Sequence, residues 1–525
     1  MNIELVLLLV VPIALSLPIY LLGRLGKPSL AKWGTVVTIL ATTLYSLFLW
    51  IQKFVPFDAA NLFATDGGFY YHIKLDWVPS VGITFSLGVD GLSMPLLLLT
   101  QVVFLVSVIS SFYIHEQESS YYAMLLVLLS GVTGTFVALD MFLFYIAWEL
   151  VLIPMFFMIH IWGGPERRYA AIKFFIYTHL ASLVMLIGLF FIYIFGVGPN
   201  GAYTFYLPQL KQNLAANFAA GDVTLANLNL IFWLVFIGFV TKFPQVPVHT
   251  WLPDAHVQAP SPGSSILAGL LLKMGGYGLI RIPFWLFSEV QTTDGQGFFE
   301  TEEGKNIRLI IAIIGMVSLA YPAFVALRQD DLKRMIAYSS ISHMGIVLLG
   351  LAAYNSWGIN GAIYMMIAHG VISPGLFLLS GVVEHNTKSH TRLMSKVGGL
   401  AHKMPFTAGL FVFLGFASAG LPGLAGFIAE INAFVGLFAD PFLGGEYIWI
   451  PIISVLSIII TAGYYLWAIQ RLLFNDPTEE LEDTKPAKWY EIWPVFTLAV
   501  FALVLGLVPT LIWWVIDAFT QNILP

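Results

Sequence analysis

The chain has 525 residues, of which 58% are hydrophobic and only 10% are charged. A soluble globular protein carries about 25% charged residues, so this composition excludes a soluble domain and predicts a polytopic membrane protein. The net charge of −6 argues against nucleic acid as a partner. The absence of cysteine excludes disulfides, cysteine-ligated iron–sulfur clusters and thiol catalysis in this chain.

Apolar stretches of spanning length recur from one end of the chain to the other. A membrane-spanning helix needs about 20 apolar residues. We predict fourteen spans, at 3–22, 34–52, 87–113, 121–139, 141–162, 171–196, 228–260, 264–287, 309–327, 334–353, 361–381, 405–438, 449–474 and 493–516. The first stretch lacks a basic start and a clear cleavage site, so we interpret it as a span and not as a removed signal peptide.

Spans 7 and 12, at 228–260 and 405–438, are too long for one helix, and both contain helix-breaking residues. Span 7 carries Pro244 and Pro247, which have no amide hydrogen and leave carbonyl groups of the preceding turn unpaired. Span 12 contains the sequence GLPGLAG. Irregular backbone at membrane depth is tolerated only where it is buried in protein or lines a wet cavity. We therefore expect residues 244–247 and 421–426 to be non-helical and to face the protein interior.

The charges of the loops predict the orientation of the chain. Lysine and arginine concentrate in the loops after odd-numbered spans, such as Arg24 after span 1 and Lys396 after span 11, whereas the loops after even-numbered spans are acidic or nearly neutral. By the positive-inside rule the odd loops are cytoplasmic, and both termini lie outside. Residues 388–403 are therefore predicted to be cytoplasmic and residues 289–306 external.

Spans 4–8 and spans 9–13 share features that indicate an internal repeat. Each set has an ionisable residue in its second span, Glu149 and His343, and a charge in its broken fourth span, Lys242 and Glu430. A repeat of five spans must be inverted across the membrane, as in secondary transporters whose ion sites lie at helix breaks. We predict an all-α fold of about 14 transmembrane helices with two inverted five-helix repeats, each containing a broken helix. The expected division is 1–113 for spans 1–3, 114–288 for the first repeat, 308–475 for the second repeat, and 476–525 for a connecting loop and span 14.

Four charged residues lie near the middle of predicted spans: Glu149, Lys242, Lys273 and Glu430. On insertion scales each costs about 2.5–3.5 kcal/mol at mid-span, or roughly 10 kcal/mol for the four before any pairing. One alternative is that the charges only pair with one another and hold helices together. The interpretation that we favour is a proton or ion path built from these side chains, because intramembrane acids and amines mark such paths.

Five histidines lie in or beside the same spans. His179, His343 and His369 are within spans, and His249 and His256 flank the first break. Imidazole changes charge near neutral pH, so each is a candidate proton relay, although a hydrogen-bonded packing histidine has the same appearance in a sequence. His249 and His256 could also line a water entry or cap the freed carbonyls. The sequence contains no GxGxxG turn, Walker loop or HExxH motif, so we expect no dinucleotide, ATP or zinc chemistry in this chain.

Six motifs follow one another in the order of the spans. They are LGVDGLSMP (87–95), WELVLIPMF (148–156), KFPQVPVHTWLPDAH (242–256), SSILAGLLLKMGGYGLIR (264–281), DLKRMIAYSSISHMG (331–345) and LPGLAGFIAEINAF (421–434). Together they resemble the antiporter-like M-type, or chain 4, subunits of complex I, the proton-pumping NAD(P)H–quinone oxidoreductases. The resemblance extends over residues 85–475, whereas the first two spans and the last are only generically similar.

The resemblance implies a fourteen-helix fold with two inverted five-helix bundles in a proton-translocating oxidoreductase. It implies that Glu149 and Lys242 form the coupling pair, that Lys273 is the central lysine and that Glu430 is the terminal proton site. This chain would hold no redox centre, cofactor or metal. Flavin, iron–sulfur clusters and a quinone would be bound by other membrane-arm and peripheral subunits, with NAD(P)H, a reduced deazaflavin or ferredoxin as the electron donor. The implied location is a prokaryotic cell membrane, with the thylakoid membrane as the alternative.

Two other functions stay open on the sequence. The chain could be a subunit of a multisubunit cation/proton antiporter that shares these motifs, in which case its partner chains would differ. It could also be a structural scaffold of a membrane arm, in which case neutralising Lys242 would reduce assembly and leave coupling intact.

Overall fold

The structure is a computed structural model of the chain, and it describes residues 3–54, 68–474, 476–482, 484 and 486–524. Within these residues, thirteen helices are long and apolar enough to cross a membrane. The helices of the described part are α1 Glu4–Arg24, α2 Pro28–Phe54, α3 Ser93–Ser110, α4 Glu118–Val137, α5 Met141–Trp162, α6 Arg167–Phe195, α7 Leu207–Ala220, α8 Leu225–Lys242, α9 Trp251–Gln258, α10 Ser261–Glu289, α11 Glu302–Leu327, α12 Leu332–Ala353, α13 Ser356–Asn386, α14 Pro405–Ser418, α15 Ala425–Ala439, α16 Trp449–Leu473, α17 Trp489–Leu507 and α18 Thr510–Thr520. Shorter helical turns lie at Leu400–Lys403 and Pro441–Glu446.

The predicted spans agree with these helices, and the prediction of a polytopic helical membrane protein is confirmed. Thirteen spans contain one long helix each, and span 12 consists of two shorter helices, α14 and α15. The predicted start of span 3 at residue 87 is wrong, because residue 87 lies in a β-strand and α3 begins at Ser93. Helix α2 begins at Pro28, before the predicted start at residue 34, because proline fits the first turn of a helix without losing a hydrogen bond.

A two-stranded antiparallel hairpin, β1 Tyr70–Val78 and β2 Ile83–Val89, interrupts the helical pattern and was not predicted. Both strands are rich in aromatic and β-branched residues, which suit a pleated surface. The turn contains Gly82 at φ +72°, and a Cβ atom there would lie 2.1 Å from the Tyr203 carbonyl oxygen, so only glycine fits. The backbone amide of Thr84 donates to Asp140 Oδ2 at 2.8 Å, while Asp140 Oδ1 accepts from the first turn of α5. The hairpin therefore packs against the N-terminus of the helix that carries Glu149.

The first predicted break is confirmed, since the chain is non-helical from residue 243 to residue 250. Two carbonyl groups freed at the end of α8 find new donors. The Val240 carbonyl accepts from the Gln245 amide at 3.2 Å, and the Thr241 carbonyl accepts from Trp251 Nε1 at 2.8 Å. These bonds satisfy the backbone groups that proline leaves unpaired, as burial away from water requires.

The second break is also present but lies two residues earlier than predicted. Residues 419–424 are non-helical, whereas residues 425 and 426 already belong to α15. Gly420 and Gly423 adopt φ +75° and +91°, a left-handed conformation that glycine alone adopts without strain. The positive φ values by themselves explain why helix α14 ends at this point.

The interior of the molecule is formed by α10, α12 and α13, which are buried along almost their whole length. Helices α1, α2, α6, α16 and α17 instead keep much of their apolar surface exposed, as expected for helices in contact with lipid. Helix α10 contains two π-helical segments, Leu267–Leu271 and Ile280–Phe284, and Lys273 lies between them. Such segments often occur at functional sites in helices.

Candidate functional site

Glu149 contacts His179 and Ser182, and these contacts join α5 to α6. Glu149 Oε2 lies 2.9 Å from His179 Nδ1, and Ser182 Oγ donates a short hydrogen bond to Glu149 Oε1. The side chains of Glu149 and His179 are 22% and 38% exposed, so this cluster reaches the outer face of the helices. Ser182 was not identified from the sequence, although it lies one turn after His179 and therefore on the same face of α6.

Lys242 is buried at the end of α8 and approaches the backbone beside Glu149. Its Nζ donates to the Trp148 carbonyl oxygen at 3.1 Å and lies 3.8 Å from the centre of the Trp148 ring. The described residues contain no ion pair between Lys242 and Glu149, whose carboxylate pairs with His179 instead. The structure thus brings the two predicted residues close without joining them.

Lys273 is fully buried in the middle of α10 and contacts His369 of α13. Its Nζ donates to the Ala268 carbonyl oxygen at 2.5 Å and lies 2.6 Å from His369 Nδ1. The rings of His369 and His343 are 5.5 Å apart. An amine and an imidazole at this distance can exchange a proton directly, so the predicted central lysine and two of the predicted histidines form one cluster.

His343 connects this cluster to the second break. Its Nδ1 lies 2.7 Å from the Ser339 carbonyl oxygen, and its Nε2 lies 2.8 Å from the Ser418 carbonyl oxygen. A neutral imidazole has only one N–H group, so both carbonyl groups accept a hydrogen bond only when the ring is protonated. Ser418 is the residue at which α14 ends, so His343 contacts the backbone where the second break begins.

Glu430 is buried in α15, beyond the second break. Within the part of the chain that the structure describes, its Oε1 has no hydrogen-bond partner. Its carboxylate lies against Gly420, where an added Cβ atom would be 2.1 Å from Glu430 Oε2. A buried carboxylate without a full set of hydrogen-bond partners destabilises the folded protein. Stability therefore does not explain why a glutamate occupies position 430.

The remaining predicted histidines lie on either side of the first break. His249 makes an edge-to-face contact with Tyr321 at 5.9 Å, and its Nδ1 has no partner among the described residues. His256 stacks on Phe377 at 4.2 Å, and neither of its ring nitrogens has a hydrogen-bond partner in the described ranges. Trp251 caps one of the freed carbonyls, that of Thr241.

Two buried ion pairs were not identified from the sequence. Arg281 Nη2 donates to both carboxylate oxygens of Asp90, at 2.7 and 2.6 Å, and joins α10 to the turn before α3. Arg308 of α11 donates to Asp440, which follows α15. Asp90 lies within the motif LGVDGLSMP, but a sequence does not show which distant arginine it meets. Both pairs bring opposite charges into direct contact, and we interpret them as structural contacts.

Several of the buried groups form a row in the interior. Lys273 contacts His369, the His369 ring lies beside the His343 ring, and His343 contacts the Ser418 carbonyl oxygen next to the second break. Amines, imidazoles and carboxylates held in this way can accept and release protons in turn.

Comparison with known proteins places the chain in a family. Residues 138–461 match the family described as NADH:quinone oxidoreductase/Mrp antiporter, TM. The chain belongs to this family. F(420)H(2) dehydrogenase subunit M of Methanosarcina mazei is 38% identical over 474 residues, which cover 89% of this chain and 88% of the relative. NAD(P)H-quinone oxidoreductase chain 4 1 of Synechococcus elongatus is 38% identical over 486 residues, which cover 91% of this chain and 85% of the relative.

Solved structures agree with the family assignment. A chain of respiratory complex I from Thermus thermophilus with bound NADH superposes with a TM-score of 0.80 and 26% identity, and the match covers 100% of both chains. The resemblance to M-type subunits that six motifs indicated is therefore confirmed. The broken helices and the buried row described above are features of this chain as a member of the NADH:quinone oxidoreductase/Mrp antiporter family.

Proposed function

We propose that this chain is the proton-translocating M-type membrane-arm subunit of a complex I-type oxidoreductase. The observation that carries this proposal is the buried contact of Lys273 with His369 at 2.6 Å, continued by His343 toward the second break. A fully buried lysine is costly unless it is used. Family membership supports the same function, since the relatives are named as a subunit of F(420)H(2) dehydrogenase and a chain of NAD(P)H-quinone oxidoreductase.

The proposal assigns electron transfer to other subunits. They would bind the flavin, the iron–sulfur clusters and the quinone-like acceptor, and this chain would move protons in response. The names of the relatives include both F(420)H(2) and NAD(P)H enzymes, which supports NAD(P)H or a reduced deazaflavin as the donor, with ferredoxin as a further choice. The proposed partners are the neighbouring membrane-arm subunits and the peripheral subunits of the same complex.

Glu149 and Lys242 are the proposed switch at one end of the row. In the arrangement seen here, Glu149 bonds to His179 and Ser182 while Lys242 rests on Trp148. Movement of the Glu149 carboxylate away from His179 and toward Lys242 would stabilise the charged form of the lysine. Movement back would allow Lys242 to release its proton along the row.

The proton then passes through groups that are already in contact or close to it. The Lys273 ammonium gives a proton to His369 Nδ1, and His343 and then Glu430 receive a proton in turn. Lys273 is reloaded by the proton that Lys242 releases, and Glu430 passes its proton to water, so that each group returns to its starting protonation state. We also propose that residues 114–288 and 308–475 are two inverted five-helix units. The two breaks support this division, because each unit contains one, beside Lys242 in the first and beside Glu430 in the second.

A double-mutant cycle tests the proposed switch. Glu149→Gln and Lys242→Ala should each leave the complex assembled and lower proton pumping about tenfold or more, since a charge-assisted contact contributes about 1.5–3 kcal/mol. The double variant should pump little worse than either single variant, because both remove the same interaction. Proton pumping is measured as quenching of ACMA fluorescence in vesicles that contain the complex. NADH and reduced F420 are supplied as electron donors in separate experiments, and decylubiquinone is the electron acceptor. Glu302→Gln, an exposed glutamate on α11, is the matched control.

The outcomes separate this proposal from the two alternatives. Full pumping by an assembled double variant would reject Glu149 and Lys242 as the switch. Loss of assembly with normal pumping per assembled complex would support the scaffold. The family description also includes Mrp antiporters, so mass spectrometry of co-purifying chains is the companion test: iron–sulfur subunits support the oxidoreductase, and only small membrane chains support the antiporter.

A further inference from the structure

Tyr465 is a fully buried residue of α16 that the mechanism above does not use. Its phenol oxygen lies at a point where three helices meet. Ser418 Oγ, at the end of α14, donates to Tyr465 Oη at 2.8 Å, and Ser339 Oγ of α12 lies 3.0 Å from the same oxygen. The phenol therefore joins the edge of the second break to the helix that carries His343.

The hydrogen bonds of this cluster have a fixed direction. A hydroxyl group has one hydrogen to donate and can accept two bonds. The Ser339 hydroxyl donates to the Ile336 carbonyl oxygen at 2.8 Å, so it is the acceptor in its contact with Tyr465. The bonds thus run from Ser418 to Tyr465, and from Tyr465 to Ser339. Phenylalanine at position 465 would remove the acceptor of the first bond and the donor of the second.

The same two serines contact His343 through their backbone. His343 Nδ1 lies 2.7 Å from the Ser339 carbonyl oxygen, and His343 Nε2 lies 2.8 Å from the Ser418 carbonyl oxygen. Ser339 is one turn before His343 on α12, so the helix itself sets the first contact. Ser418 is 75 positions away and ends α14, where the last carbonyl groups have no partner within the helix. The second contact therefore depends on how the end of α14 is held against α12.

We propose that Tyr465 is a positioning residue for proton transfer through His343. Its phenol bonds to the side chains of Ser418 and Ser339, and these bonds hold the Ser418 carbonyl oxygen at hydrogen-bond distance from His343 Nε2. When His343 carries a proton on both nitrogens, each N–H group donates to one of the two carbonyl oxygens. Tyr465 itself neither gains nor loses a proton. This inference rests on the proposed function, because His343 belongs to the row that begins at Lys273.

The competing explanation is that Tyr465 only stabilises the packing of α16 against α14. The ring does lie along α14, since an added Cβ atom at Gly415 would be 3.5 Å from Tyr465 Cδ1. The variant Tyr465→Phe separates the two roles, because it keeps the ring and its packing and removes only the hydroxyl group. A purely structural phenol changes the amount of assembled complex. A positioning phenol changes the pumping rate of each assembled complex.

The test measures proton pumping per assembled complex in vesicles, with the donors, acceptor and fluorescence readout given above. We expect Tyr465→Phe to assemble and to lose about tenfold in pumping rate, since one hydrogen bond is worth up to about a tenfold change. The solvent deuterium isotope effect on pumping should rise, because proton transfer through His343 becomes the slow step. Tyr121→Phe is the matched control. The Tyr121 phenol is also buried and lies 2.9 Å from the Ser111 hydroxyl, and its loss should leave both the rate and the isotope effect unchanged.

A double-mutant cycle connects the phenol to the imidazole. His343→Gln should by itself lower the pumping rate about tenfold or more. Tyr465→Phe should add little to that loss, because both variants act on the same transfer. Ser418→Ala removes the hydroxyl group that donates to Tyr465 and should lower pumping in the same way, so it carries the test if Tyr465→Phe does not assemble.

Three results would overturn the positioning role. They are normal pumping by assembled Tyr465→Phe, normal pumping by assembled Ser418→Ala, and a loss in Tyr465→Phe that adds in full to the loss in His343→Gln. The cycle also distinguishes this inference from the proposed function. Normal pumping by His343→Gln would reject the row itself, whereas a loss in His343→Gln with normal pumping by Tyr465→Phe rejects only the positioning role.

Discussion

Replacing Arg281 by methionine should destabilise the protein without touching the proposed proton row. Arg281 lies eight residues after Lys273 on α10, about 12 Å along the helix. It is fully buried, and its Nη2 donates to Asp90 at 2.7 and 2.6 Å. Four aromatic rings surround the guanidinium, with centroids 5.1 to 5.5 Å away. The pair fixes the end of the helix on which Lys273 depends.

The magnitude follows from what each variant leaves behind. Removing one partner of a buried ion pair costs about 3–5 kcal/mol, because the other charge stays buried. In Arg281→Met, the Asp90 carboxylate keeps three donors, the amides of Leu92 and Ser93 and the Ser93 hydroxyl, so we expect a cost near about 3 kcal/mol. In Asp90→Asn, the guanidinium keeps no anionic partner at full burial, so we expect about 5 kcal/mol.

The assay is SDS-induced unfolding of the purified protein in mixed micelles, followed by the fluorescence of its 15 tryptophans. A loss of about 3 kcal/mol corresponds to roughly a hundredfold change in the unfolding equilibrium constant. Arg328→Met, at an exposed arginine after α11, is the matched control. The double variant Arg281→Met, Asp90→Asn should cost less than the sum of the single variants. Equal stability of Arg281→Met and Arg328→Met would refute the reasoning.

Two further predictions concern orientation and the second break. The chain has no native cysteine, so single cysteines introduced at Lys396 and Glu300 can be labelled without background. We expect a membrane-impermeant maleimide to label intact cells at residue 300 and not at residue 396. The reverse labelling pattern would overturn the predicted orientation. Gly420→Ala should cost about 1–2 kcal/mol for a left-handed alanine and should displace the Glu430 carboxylate, which an added Cβ atom would approach to 2.1 Å. Proton pumping by Gly420→Ala should therefore fall while the complex still assembles. The control variant Gly463→Ala, where nothing lies within 4 Å of the added Cβ atom, should pump at the wild-type rate. Equal pumping by the two variants would show that the position of Glu430 does not limit the pumping rate.

The sequence by itself determined the class of the fold and the segments that span the membrane. A span must be apolar over about 20 residues, and that requirement is local, so it can be read without a structure. Proline and glycine act on their own backbone, which is why both breaks were found in the right segments. The predicted placement of the second break was two residues late because it was assigned from composition, whereas the structure shows two glycines at positive φ.

Only the tertiary structure decided which side chains meet. Glu149 bonds to His179 and Ser182, and Lys242 contacts Trp148, the residue before Glu149. The contact of Lys273 with His369 joins residues 96 positions apart, and the Asp90–Arg281 pair joins residues 191 positions apart. The cost of burying a charge is a property of one position, and it can be estimated from the sequence. The partner that offsets this cost is set by the packing of helices distant in the chain, which requires the fold.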